Sequence, residues 1–231
     1  ALLTGKQVQE CAAGAVTFNA TGDTLTMTAN GDVNATGGAV NFTAANGIIT
    51  AGDVTTAGTT VTYNSATTQT GEVVIDTTNG VATGANVTFA NTVAGGQTLT
   101  IDGGTDGAIA FNGASNVVGD LTITNGASLD VIGTLVASDL ITTNGTATTI
   151  NLTGATTDIA SQVDFENTGL VTLGGAGDVL TFTGGFNFVG DAASNISGTL
   201  RSNGAAMDFG SGGVTLSTTT TVDATNNSGV P

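Results

Sequence analysis

The sequence predicts an all-β chain folded as a parallel β-helix, a β-solenoid of about ten turns of 21–26 residues. Three observations lead there. A strand word, apolar-x-aromatic, begins at Val16, Val40, Val61, Val87 and Ile109 and ends on Phe18, Phe42, Tyr63, Phe89 and Phe111, at intervals of 24, 21, 26 and 22. It resumes as Val163-Asp164-Phe165, Phe186-Asn187-Phe188 and Met207-Asp208-Phe209, at intervals of 23 and 21. A second word, Leu25-Thr26-Met27, Leu99-Thr100-Ile101, Leu121-Thr122-Ile123 and Leu180-Thr181-Phe182, falls between returns of the first. Asn-Gly pairs starting at Asn30, Asn46, Asn79, Asn112, Asn125, Asn144 and Asn203 supply residues that tolerate positive φ where the chain must turn. A period in the twenties marks a solenoid, in which each coil buries its apolar side only against its neighbours. An antiparallel meander would use the same pairs as hairpins, but with strands evenly spaced at about 8–12 residues.

In chain order, residues 1–13 read as an N-terminal cap or linker, because Gly5 to Ala12 is the only stretch with mild helical character. Residues 14–217 form the solenoid. From Ile109 to Val163 is 54 residues, room for two coils with no Phe to mark the one between. Leu129-Asp130-Val131-Ile132 or Leu140-Ile141-Thr142 takes that place. Residues 218–231, polar and rich in Gly and Asn, read as a polar tail or linker. If residues 1–13 do not cover the first coil, both ends are open to stacking on another copy, which predicts a homo-oligomer or filament.

Composition narrows the function. The chain has 36 Gly, nine Phe, one Pro and no His or Trp, and Lys6 and Arg201 are its only cations in a formal net charge of −16. Its 39% hydrophobic content is enough for a thin continuous core and argues against disorder. Nucleic acids and anionic membrane surfaces are recognised by clustered Lys and Arg, so both are excluded as partners. There is no apolar run of about 18 residues for a membrane span. The start, Ala1 to Gln7, lacks the regions of a signal peptide, so the chain is either already processed or an internal piece of something longer. With Cys11 alone, no internal disulfide forms, and burial is favoured over an intermolecular link.

The sequence offers little for catalysis. Without His, the Ser-His and Cys-His nucleophile systems are absent, and Cys11 has no activating base. Asp164-x-Glu166 puts two carboxylates on one side of a strand, where they form either an acid/base pair or a solvated strand face; the second is favoured. No residue is therefore assigned to catalysis or to a cofactor. Calcium is left open, with no assigned ligands: Asp102 and Asp106 flank a flexible loop, and Gly174-Gly175-Ala176-Gly177-Asp178 is similar to a glycine-rich calcium repeat whose Asp comes one position early. Plain turns are the favoured reading of both. Thr-x-Thr words at Thr24 to Thr28, Thr98 to Thr100, Thr122 to Thr124 and Thr181 to Thr183 would make an ice-binding array if stacked on one face, but many turns lack them. Asn19, Asn34, Asn41, Asn86, Asn151 and Asn195 are acceptors for N-glycosylation if the source modifies secreted proteins.

The phrases Gly84 to Ile101 and Val118 to Gly126 resemble the β-strand repeats of large bacterial surface exoproteins of the filamentous-haemagglutinin and autotransporter-passenger type. The resemblance covers most of the chain. It implies a right-handed parallel β-helix, an extracellular or cell-surface location, and adhesion or matrix building, with a host or cell-surface glycan or protein as partner. The expected function is a non-enzymatic structural or adhesive β-solenoid of a surface filament, adhesin or matrix fibre. The bias towards Thr, Ala, Gly, Asn and Asp also resembles surface-layer proteins, which implies the alternative of a lattice subunit, with calcium dependence.

Overall fold

Each inward-outward-inward triplet of the sequence becomes one short strand, and three such strands close one coil. A computed structural model of the chain describes residues 2–3, 8–10, 14–217 and 219–225, with side chains from residue 14 onward. Among the described residues the strands of successive coils pair in parallel, and together they build three flat faces. The first face starts with Leu2–Leu3 and Leu25–Met27 and runs through eleven strands to Thr221–Asp223. The third starts at Val16–Ala20 and runs through ten strands to Val214–Leu216. The second is split into seven strands, Val8–Glu10 to Asp139–Thr142, and three, Val163–Phe165, Phe186–Phe188 and Met207–Asp208. Ten strands on the third face make nine steps, and at roughly 4.8 Å per step the stack is roughly 43 Å long. The β-solenoid expected from the sequence is the fold.

The first set of the aromatic word gives the coil register directly. Val16 pairs Val40, Val40 pairs Val61, Val61 pairs Val87 and Val87 pairs Ile109. Their partners two residues on form a column of rings inside the rod: Phe18, Phe42, Tyr63, Phe89 and Phe111, with neighbouring centroids 5.1, 4.7, 4.8 and 4.9 Å apart. Each stacked pair adds about 0.5–1.5 kcal/mol to the burial of its apolar area. The 26-residue interval arises because the chain makes a long excursion between Asp76 and Val87 before rejoining the face.

The expectations are refined or corrected in detail as follows. The second set of the word lies on the second face: Val163 pairs Phe186 and Phe186 pairs Met207 there. The physical reason is that every face uses the same buried-x-buried triplet, so the word reports a coil but not a side of it. The place after Phe111 is filled by Leu129 and Val131 on the third face, 20 residues on, whereas Leu140 belongs to the second face. The Leu word is likewise divided, with Leu25 and Leu180 on the first face and the paired Leu99 and Leu121 on the second. Finally, Val8–Glu10 is a strand paired with Val33–Ala35, not a helical turn, and Thr221–Asp223 continues the first face inside the stretch read as a polar tail. The other residues of 1–13, Cys11 among them, and residues 218 and 226–231 lie outside the described residues.

The corners carry the turn residues. Gly47, Gly80, Gly145 and Gly204, each following Asn, have φ between 75° and 89°, which a side chain with a Cβ rarely adopts. Gly113, Gly133 and Gly154 are a different case: they stack at one corner, where a Cβ on Gly133 would run into the carbonyl oxygen of Gly113, and one on Gly154 into that of Gly133.

Candidate functional site

Among the described residues, the ladder of the second face is interrupted at one level. Between Asp139–Thr142 and Val163–Phe165 the main-chain ladder gives way to a side chain: the Thr142 hydroxyl donates to the Asp164 carbonyl at 3.2 Å and accepts the Glu166 amide at 2.9 Å. The faces on either side stay paired, Leu135 with Thr157 and Ile150 with Val171. The interruption leaves a cleft of about 180 Å³ lined by Asp139, Ile141, Thr142, Gln162, Asp164 and Glu166.

Strand alternation puts Asp164 and Glu166 in this cleft together, as the sequence spacing predicts, and folding adds Asp139, which no linear spacing connects to them. Asp139 stands in register with Asp120 one coil away. Burial pushes its carboxyl above the usual range; the Leu140 amide pulls it down, while Asp120 and Asp164 push it further up. Gln162 Nε2 donates to Asp164 Oδ1 at 3.3 Å. The cleft is an acidic notch with no Lys, Arg or His in its lining, and it is smaller than the roughly 300 Å³ at which small-molecule pockets begin. Such a notch accepts hydrogen bonds from water or a donor group.

The carboxylates of the calcium candidates take part in their own turns. Asp102 Oδ1 accepts the Gly104 amide at 2.9 Å, Asp106 Oδ1 accepts the Thr105 hydroxyl at 3.0 Å, and Asp178 Oδ2 accepts the Gly175 amide at 2.6 Å. Among the described residues no group of three or more His, Cys, Asp or Glu is arranged to hold a metal ion. The Thr-x-Thr words do not form one array. Thr26 and Thr181 lie on the first face, and Thr100 and Thr122 are neighbours on the second, flanked in that column by Val74 and Ile141. The acceptor asparagines Asn19, Asn86 and Asn195 are exposed, while Asn151 Nδ2 donates to Asp130 Oδ1 at 2.7 Å. Asp side chains also tie coils together from outside: the Asp53 amide donates to Asp32 Oδ1, and the Val74 amide to Asp53 Oδ1.

The last coil is the second notable surface, and the sequence names no residue for it. Val214 and Leu216 extend the inward columns of Ser194 and Ile196, and Val222 extends that of Leu200. Ser194, Ile196 and Leu200 are at most 1% exposed, whereas Val214, Leu216 and Val222 are 43, 59 and 48% exposed. These three are core residues by register and surface residues by position. No family model, curated protein or solved structure matches the chain.

Proposed function

We propose that this chain is a non-enzymatic, extracellular structural solenoid that builds a bacterial surface filament, adhesin or matrix fibre by associating with itself. The observation that carries this reading is the stack of parallel coils, ten strands deep on the third face, in which each coil buries its core against a neighbour of the same kind. A parallel coil with an open edge is a template for another coil. The outer surface supports the same reading. Its strands present Thr, Asn and Asp outward, and with two cations in the whole chain trypsin-like proteases find few sites. The extracellular place and a glycan or protein as adhesion partner are part of this proposal and follow from the resemblance read in the sequence.

Negative-stain microscopy of the purified chain, with calcium and with a chelator, tests the reading. Single filaments in both conditions are expected. Two-dimensional sheets that dissolve in chelator would favour the surface-layer lattice instead, and short monomeric rods in both would remove self-association from the account.

A further inference from the structure

The seven Asn-Gly pairs do not share one environment. Asn79 and Gly80 form the tip of the excursion between Asp76 and Val87, where both are exposed and open space surrounds the position a Gly80 Cβ would take. The tip is a tight turn closed by the Val81 amide, which donates to the Thr78 carbonyl, with Gly80 at φ 81°. Its base is braced: Asp76 Oδ1 accepts the Thr78 amide and hydroxyl, each at 2.6 Å, and Thr77 Oγ1 accepts the Ala85 amide at 2.9 Å. Among the described residues the Gly80 amide donates no hydrogen bond and the Asn79 carboxamide makes none.

The other six pairs are held. The amides of Gly31, Gly145 and Gly204 donate to the carbonyls of Thr28, Glu166 and Ala224 at 2.7, 3.1 and 2.8 Å, and that of Gly47 donates to Ala44 at 3.4 Å. Gly126 is buried, and its amide donates to Asn125 Oδ1 at 3.0 Å. Gly113 is buried too, with its Cβ position 2.5 Å from the backbone of Asn91 in the neighbouring coil, so its backbone has no room to rotate.

We propose that Asn79 is a self-modification site, at which the folded chain deamidates ahead of its other Asn-Gly pairs. Asparagine is a thermolabile residue, and the step needs a following amide nitrogen that is not already donating, a backbone free to swing, and water. Asn79-Gly80 combines all three. The Gly80 nitrogen gives its proton to water and attacks Asn79 Cγ, the bond from Cγ to the side-chain nitrogen breaks, and ammonia leaves with a proton from water. A five-membered succinimide remains. A second water opens the ring at either carbonyl to give aspartate or isoaspartate, so the net change is one carboxamide and one water to one carboxylate and one ammonium. The product adds one negative charge to the formal −16. It does so outside the paired strands, where the coil ladder is left intact. The inference stands independently of self-association.

Peptide mapping by mass spectrometry of the folded chain, held at mildly alkaline pH, tests the site. Cleavage after Tyr63 and Phe89 releases a peptide whose single Asn-Gly pair is Asn79-Gly80. Asn79 should convert about two- to tenfold faster than any of the other six, the factor that corresponds to releasing one amide hydrogen bond. Two chromatographically distinct products, aspartyl and isoaspartyl, are expected from the two ways of opening the ring. In urea the seven rates should converge, because the hydrogen bonds and packing that protect the other pairs are gone. Another pair converting as fast as Asn79 in the folded chain, or a lead for Asn79 that persists in urea, would overturn the structural assignment. An aspartyl product alone would overturn the succinimide route.

Discussion

The ring of Tyr63 stacks on that of Phe42 at 4.7 Å, yet its hydroxyl, buried in the aromatic column, has no hydrogen-bond partner. The other four rings of its column, Phe18, Phe42, Phe89 and Phe111, are Phe, and a phenol in their place carries a polar group whose desolvation is not repaid. Tyr63→Phe should therefore raise stability by about 1 kcal/mol, read as a higher Tm. Burial, with Asp53 adding to it, pushes the phenol well above its usual range. A raised acid pKa means that the unfolded chain loses this proton first, so stability falls as pH climbs past about 10. Tyr63→Phe should lose less stability than the parent over that alkaline range.

Phe89 touches rings on both sides, at 4.8 Å to Tyr63 and 4.9 Å to Phe111, and is 2% exposed. Phe89→Ala should cost about 3–5 kcal/mol. Phe18→Ala, at the partly buried end of the column with one ring neighbour, should cost clearly less in the same thermal or urea unfolding series.

Gly133 is required by a close approach. A methyl group there meets the Gly113 carbonyl of the coil below, and backbone cannot move aside as a flexible side chain can. Gly133→Ala should cost at least about 1 kcal/mol, while Gly22→Ala, with open space around its Cβ, should change stability little.

Asp139 is a charge that the folded chain disfavours. Its raised pKa favours the protonated form in the folded state, so folding binds a proton through the window just above the ordinary carboxylate range. Its effect on stability is least harmful at acid pH and grows worse as pH rises through that window. Asp139→Asn should be more stable than the parent at neutral pH, and the difference should shrink on acidification below the carboxylate range. Chemical denaturation at several pH values checks both the sign and the trend.

The coil register of the first half was legible because Phe marks one column at every return, from Phe18 to Phe111. Past Phe111 the column continues with Val131 and Leu152, which look like any other inward aliphatic, so the marker fades although the stacking does not. The second group of aromatics, Phe165, Phe186 and Phe188 on the second face with Phe182 on the first, repeats the word without repeating the place. The cleft shows the same limit. Asp164 and Glu166 were visible as a strand pair, but Asp139 joins them only through a coil stacking that residue spacing does not encode.

The measurement that tests the stacked rod most directly is the distance between spin labels at Thr17 and Thr215, both exposed on the third face, in a Cys11→Ser chain diluted with unlabelled protein. Nine coil steps predict a distance of roughly 43 Å within one molecule. A narrow distribution around that length supports the account, and a main population below about 30 Å, fewer than seven steps at that rise, would contradict it.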